Sequence, residues 1–198
     1  MRLLYFLLFF TFLMGNSYAS DVESLIDKFA KIKSLKANFF QETTIKGFGT
    51  DGYTGKIRLI AKEKILWDYT SPYPQYYLFT KDTMEYYDSS TEQLIRQKVA
   101  SSGANNIVFQ ILIDLKEAKN TFNFEMVEQN KIKLIPKTEI GLKFLIIEFS
   151  DIYISKIFSE DNNGNVTEIT LMDVKINEKI DDSEFKKEVP LNTEIFNY

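Results

Sequence analysis

From Ala37 onward the apolar residues of this chain recur at every second position, and that change of period constrains the fold more than any single residue does. Before it, the stretch from Asp21 to Leu35 places Val22, Leu25, Ile26, Phe29, Ile32 and Leu35 at the three- and four-residue spacing of an amphipathic helix with one buried stripe. After it come Phe39/Gln41, Ile57/Leu59, Ile65/Trp67/Tyr69, Tyr77/Phe79, Met84/Tyr86 and Leu94 with its neighbours. Short alternating runs that end in turn residues describe an antiparallel meander. Turns are expected at Thr50-Asp51-Gly52, Ser71-Pro72-Tyr73-Pro74 and Asp88-Ser89-Ser90.

One helical segment interrupts the strands, from Asn105 to Leu115. Seven of its eleven residues are large and apolar: Ile107, Val108, Phe109, Ile111, Leu112, Ile113 and Leu115. A helix that is apolar on nearly every side has to be covered on nearly every side. Strands resume at Phe122 to Glu128, Lys131 to Pro136, Lys143 to Phe149, Ile152 to Phe158 and Val166 to Ile176, with hairpin turns at Asn130 and from Asp161 to Asn165. The expectation is about ten or eleven strands and two principal helices in one domain, with no internal repeat or dividing linker.

The first nineteen residues read as an export signal. Arg2 supplies the positive charge, Leu3 to Met14 is apolar apart from Thr11, and Ser17 and Ala19 are the small residues a signal peptidase reads, so cleavage is expected after Ala19. The run of about twelve residues is short of the roughly twenty a spanning helix needs. Residues 1–19 are therefore taken as signal peptide and 20–198 as one folded domain of the cell envelope. That domain, of about 180 residues, buries roughly 70% of its unfolded surface, so size demands no cofactor.

Composition then removes whole classes of chemistry. Only Arg2 of the 24 basic residues lies in the leader, leaving 23 against 28 acidic, a net charge of −5 that argues against nucleic acid. The chain has no cysteine and no histidine, which excludes a lipidated N-terminal cysteine, disulfides, Ser-His-Asp and Cys-His catalysis and the common zinc sites.

Three motifs have plain structural explanations. Gly47 to Gly52 spells G-x-G-x-x-G, but the segment after it, Lys56 to Ile60, alternates as a strand where a dinucleotide site needs a helix, so a hairpin loop is the better reading. Asp161 to Gly164 resembles the start of a calcium loop, yet the glycine comes one residue early and Met172 stands where a bidentate glutamate is required. Asn165-Val166-Thr167 is a sequon of the kind that arises by chance. Carboxylates are the catalytic chemistry left: Glu42, Asp68 and Asp82 lie near aromatic strands and would line the cleft of a glycan hydrolase, although solvated strand-end charges explain them more simply.

Aromatic and aliphatic side chains fill one face of many strands, and an all-round apolar helix accompanies them. Two structures satisfy that pattern. One is an ordinary closed core. The other is a curved sheet whose concave apolar face is only part filled and is covered by a movable helix, leaving a cavity for an acyl ligand.

The order of several features resembles the LolA family of periplasmic lipoprotein carriers. They are Ala37-x-Phe39-x-Gln41 after a first helix, Gly55 opening a strand, Trp67 five residues before Pro72, Tyr87-Asp88 followed by Glu92-Gln93, the apolar helix, Asp161-x-x-Gly164-Asn165, and Phe185 leading to Pro190. The resemblance implies an incomplete antiparallel β-barrel with an apolar helical lid and the N-terminal amphipathic helix, enclosing lipoprotein acyl chains. It also implies an inner-membrane ATP-driven exporter that supplies the cargo, an outer-membrane acceptor that receives it, and no enzymatic activity. A half-barrel sensor or interaction domain is the alternative of similar shape. On this reading Phe39, Ile57, Leu59, Ile65, Trp67 and Tyr69 form the acyl-cavity wall, and Ile107, Val108, Ile111 and Leu112 belong to the lid. Where the family often places Arg-Pro, with an arginine that holds the lid closed, this chain has Ala61-Lys62; Lys62, Lys64 and Arg58 are the candidates to replace it.

Overall fold

The amphipathic stripe falls in helix α1 (Gly15–Phe29), which ends six residues before the apolar spacing does. The helix winds down through i→i−3 bonds from Lys31 N–H to Lys28 and from Ile32 N–H to Phe29, and Leu35 already lies on the first strand. Val22, Leu25, Ile26 and Phe29 are buried together with Ile32 and Leu35, so the stripe continues across the boundary. The computed structural model describes residues 15–98 and 107–198. The leader run Leu3 to Met14 and the Asn105-Asn106 start expected for the second helix lie outside those residues.

Twelve strands follow: β1 (Ser34–Ile45), β2 (Gly49–Ile60), β3 (Lys64–Ser71), β4 (Gln75–Thr80), β5 (Thr83–Asp88), β6 (Gln93–Lys98), β7 (Phe122–Glu128), β8 (Lys131–Pro136), β9 (Leu142–Ser150), β10 (Tyr153–Asp161), β11 (Val166–Ile176) and β12 (Glu194–Asn197). Helix α2 (Ile107–Ile113) lies between β6 and β7. All twelve strands belong to one open sheet in the order β12-β6-β5-β4-β3-β2-β1-β11-β10-β9-β8-β7. Every pair is antiparallel except the short β12, which adds parallel to β6. Two meanders are thus joined where β1 pairs with β11, and the incomplete barrel expected from the sequence is the architecture observed, with β7 and β12 as its free edges.

One turn is displaced from its expected place. Thr50-Asp51-Gly52 lies inside β2, opposite Thr44, Thr43 and Glu42, and the chain reverses earlier, at Lys46 to Phe48. Gly47 (φ 85°) and Gly49 (φ 117°) supply the positive dihedrals that this reversal needs.

Side chains on neighbouring positions of a strand point to opposite faces, and here both faces of the first meander are covered. The inward face carries Phe39, Ile57, Leu59, Ile65, Trp67 and Phe79, which share one core with α1, α2 and the inward residues of β8 to β11. On the outward face Leu66, Tyr76, Tyr87 and Leu94 form a second cluster with Ile180 and Phe185 of the C-terminal segment. That segment is tied down by Lys36 and Arg58 to Glu184 (2.9 and 3.4 Å), Lys64 to Asp182 (2.7 Å) and Lys187 to Asp68 (2.8 Å). Two of the candidate latch residues, Arg58 and Lys64, are therefore engaged on the outer face, away from α2.

Gly55 has a specific packing reason. A Cβ there would stand 2.2 Å from the Asp68 carbonyl and 2.5 Å from the Phe39 ring. Phe39 sits opposite Gly55 in the register and lays its ring over the bare backbone.

Candidate functional site

Antiparallel register sets Ile57, Trp67, Tyr77 and Tyr86 side by side on the concave face, since Ile57 pairs with Trp67, Trp67 with Tyr77, and Tyr77 with Tyr86. Phe39 packs against Trp67 (ring centroids 4.9 Å) and Tyr69 (5.0 Å) from the neighbouring β1 side. Helix α2 closes over this row with one ring. Phe109 meets Phe79 (4.4 Å, stacked), Trp67 (5.4 Å, edge-on) and Tyr77 (5.5 Å). Such offset and edge contacts stabilise by roughly 0.5–1.5 kcal/mol each beyond the area they bury.

Beside Phe109 the concave face is not filled. A cavity of about 440 Å³ is bounded by Trp67, Tyr69, Tyr77, Met84 and Tyr86 from the first meander, by Ile157 and Ile169 from the second, and by Val108 and Phe109 from α2. Its volume falls in the ~300–1,000 Å³ range of small-molecule sites. Gln97 of β6 and Ser159 of β10 line the same space, yet these strands are seven steps apart in the sheet order, about 34 Å if the sheet were flat. The sheet therefore curls around the cavity, with α1 and α2 on its concave side.

The rim is polar and uncharged. Tyr69 Oη donates to Gln41 Oε1 (2.9 Å), Gln41 Nε2 donates to Thr43 Oγ1 (3.1 Å), and Thr43 and Thr167 share a hydroxyl bond at 3.2 Å. Burial pushes the Tyr69, Tyr77 and Tyr86 hydroxyls up from the ordinary tyrosine value, so all three remain protonated donors at neutral pH. Among the described residues lining the cavity none carries a formal charge.

The six residues expected in the wall are all on the concave side, but at different depths. Trp67 and Tyr69 line the cavity; Phe39 backs them; Ile57 and Ile65 are buried beneath. Leu59 borders a second, much smaller void of about 20 Å³ with Phe29, Ile32 and Leu112. Of the four lid residues, Val108 lines the main cavity and Leu112 the small void, while Ile107 and Ile111 pack in the shared core. Phe109, the ring that touches the aromatic row, was absent from that set. In a helix apolar on every side, periodicity does not single out the residue that faces the sheet.

The end of α2 is anchored from the turn between β2 and β3. Lys62, at φ 61°, donates its backbone N–H to the Ile113 carbonyl (3.1 Å), satisfying one of the helix's free C-terminal acceptors, and its Nζ lies 3.4 Å from Asp114 Oδ2. Leu115, expected within the helix, lies beyond its last residue.

The three carboxylates weighed as a hydrolytic set do not meet. Asp68 faces outward and pairs with Lys187, Glu42 is exposed on the outward face of β1, and Asp82 is exposed in the β4–β5 turn.

A family model described as outer membrane lipoprotein carrier protein LolA matches residues 30–188. The chain is similar to an outer-membrane lipoprotein carrier protein of Pseudoalteromonas translucida, 29% identical over 90% of this chain and 88% of that one. It is similar to another of the same description from Francisella philomiragia, 28% identical over 98% and 97%. Among solved structures, a conserved protein of Thermus thermophilus shares the fold at 12% identity with a TM-score of 0.56, covering 91% of this chain and 99% of that one.

Proposed function

The chain belongs to the LolA family of outer membrane lipoprotein carrier proteins, and from that membership we propose that its cavity holds the acyl chains of lipoproteins in transit through the periplasm. In this reading an inner-membrane ATP-driven exporter loads the carrier and an outer-membrane acceptor unloads it. The observation that supports it most is the part-filled cavity, apolar at its floor and capped by Phe109 of α2. The leader read from residues 1–19 is consistent with that location.

Energetics explain the lid. Moving a chain of about fourteen methylenes from a membrane into water costs on the order of 11 kcal/mol, so a carrier has to replace most of that apolar contact without exceeding it by much. If Phe109 and Val108 leave the concave face as the acyl chain arrives, the cargo displaces protein contacts as well as water. The net gain on loading is then moderate, and release remains feasible.

The protein acts as a binding protein and not as an enzyme in this account. The test is release of lipoproteins from spheroplasts by the purified protein. Release into the soluble fraction is expected for the native chain and should drop at least ~10-fold for Trp67→Asp, a charge in the cavity wall. Equal release by the two, with the variant shown to be folded, would remove the cavity from the mechanism.

A further inference from the structure

Trp67 is the chain's one tryptophan. It is 1% exposed, lines the cavity, and leaves its indole Nε1–H with no hydrogen-bond partner among the described residues. The Tyr69 hydroxyl two residues along is the nearest acceptor and interacts weakly with the indole, but its geometry falls short of a hydrogen bond. Buried polar groups without partners are uncommon. A donor left unmade is destabilising unless something else supplies the acceptor.

A hydrocarbon tail offers no acceptor, whereas the carbonyl at the head of an ester- or amide-linked acyl chain does. The uncharged rim of Gln41, Thr167 and Ser159 would tolerate such a linkage next to it. We propose that the Trp67 indole N–H donates to the ester or amide carbonyl of the bound acyl chain, so that the cavity selects acyl chains over alkyl chains joined by an ether. This refines the acyl-carrier reading above and rests on it. Trp67 thereby both forms the aromatic wall and sets the depth to which the lipid head enters.

The single indole gives one side-chain cross-peak in a ¹H–¹⁵N spectrum, which reports its hydrogen bond directly. The purified protein is titrated with 1-palmitoylglycerol, an ester, and with 1-O-hexadecylglycerol, its ether counterpart. The ester is expected to bind about 5- to 20-fold more tightly and to move the indole proton downfield, while the ether leaves it near its free position. In Trp67→Phe, checked for native strand content by circular dichroism, the two affinities should come within about twofold. Equal binding of ester and ether by the native protein, with the indole proton unmoved, overturns the carbonyl assignment and leaves the acyl cavity standing. Failure of both lipids to bind overturns the cavity reading as well.

Discussion

Phe79 of β4 and Phe109 of α2 stack with ring centroids 4.4 Å apart and planes 28° apart, the closest of the three ring contacts that hold the helix to the sheet. The two rings share one contact but belong to elements of unequal independence. A ring on a strand is lost only when the sheet is lost. A ring on a seven-residue helix can leave by local opening, which limits what its removal costs the whole fold. Phe79→Ala is expected to lower the unfolding free energy by about 3–4 kcal/mol, as for a buried phenylalanine in a core. Phe109→Ala should lower it by only about 1–2 kcal/mol. Denaturant titrations of both variants decide this, and equal losses would mean that α2 is an ordinary part of the core.

Lys62 holds the other end of α2. Its ion pair with Asp114 has a largely exposed ammonium and is worth at most about 1 kcal/mol; its backbone bond to Ile113 does not depend on the side chain. Lys62→Ala should therefore speed amide exchange in residues 107–113 by up to about fivefold and move the thermal midpoint by less than about 2 °C. A large global loss would show that Lys62 carries more of the fold than these two contacts account for.

Gly55→Ala should be among the most damaging small substitutions. The added methyl meets the Asp68 backbone oxygen and the Phe39 ring together. A cost of about 3 kcal/mol or more is expected. Trimming the ring with Phe39→Leu should not restore stability, because the backbone contact remains.

The helical stripe at Val22 to Phe29 and the alternation around Trp67 were legible because each exposes one period to a single apolar core. Tyr77 and Tyr86 fell in the alternating runs, but their neighbours Tyr76 and Tyr87 had no face assigned by the pattern. Each pair of neighbours puts one ring in the cavity wall or the core behind it and the other in the outward cluster under Phe185, so alternation alone does not say which face is which. β12 was missed because Glu194 to Asn197 is a four-residue parallel edge strand, mostly exposed, whose pairing with β6 depends on the C-terminal segment crossing the outer face first. Three residues were candidates for the lid contact that the resemblance implies. Arg58 and Lys64 alternate outward from the same strands that send Ile57, Leu59 and Ile65 inward, and register decided against them.

The outer-face ion pairs give the pH response a sign. The Lys36 ammonium bonded to Glu184 and the Lys64 ammonium bonded to Asp182 hold both carboxyls below their ordinary values. A carboxyl depressed in the folded state contributes stability above its unfolded value, about 4.3 for Glu and 3.9 for Asp, and that contribution is lost as pH falls through the folded value. With no histidine in the chain, the thermal midpoint should stay level from about pH 6 to 8 and fall below about pH 4.5. Glu184→Gln combined with Asp182→Asn should lower the midpoint at neutral pH and flatten the acid limb. An unchanged acid limb would place the responsible carboxyls elsewhere.

In the carrier mechanism proposed above, α2 leaves the concave face when an acyl chain enters. Amide exchange of residues 107–113, followed by mass spectrometry in the empty protein and in a purified complex with a lipoprotein, tests it most directly. In the empty protein α2 should already exchange faster than β3, and on loading its rates should change at least ~10-fold while those around Trp67 hold or slow. Protection of α2 equal to that of β3 in both states would contradict the account and identify the helix as a fixed part of a closed core.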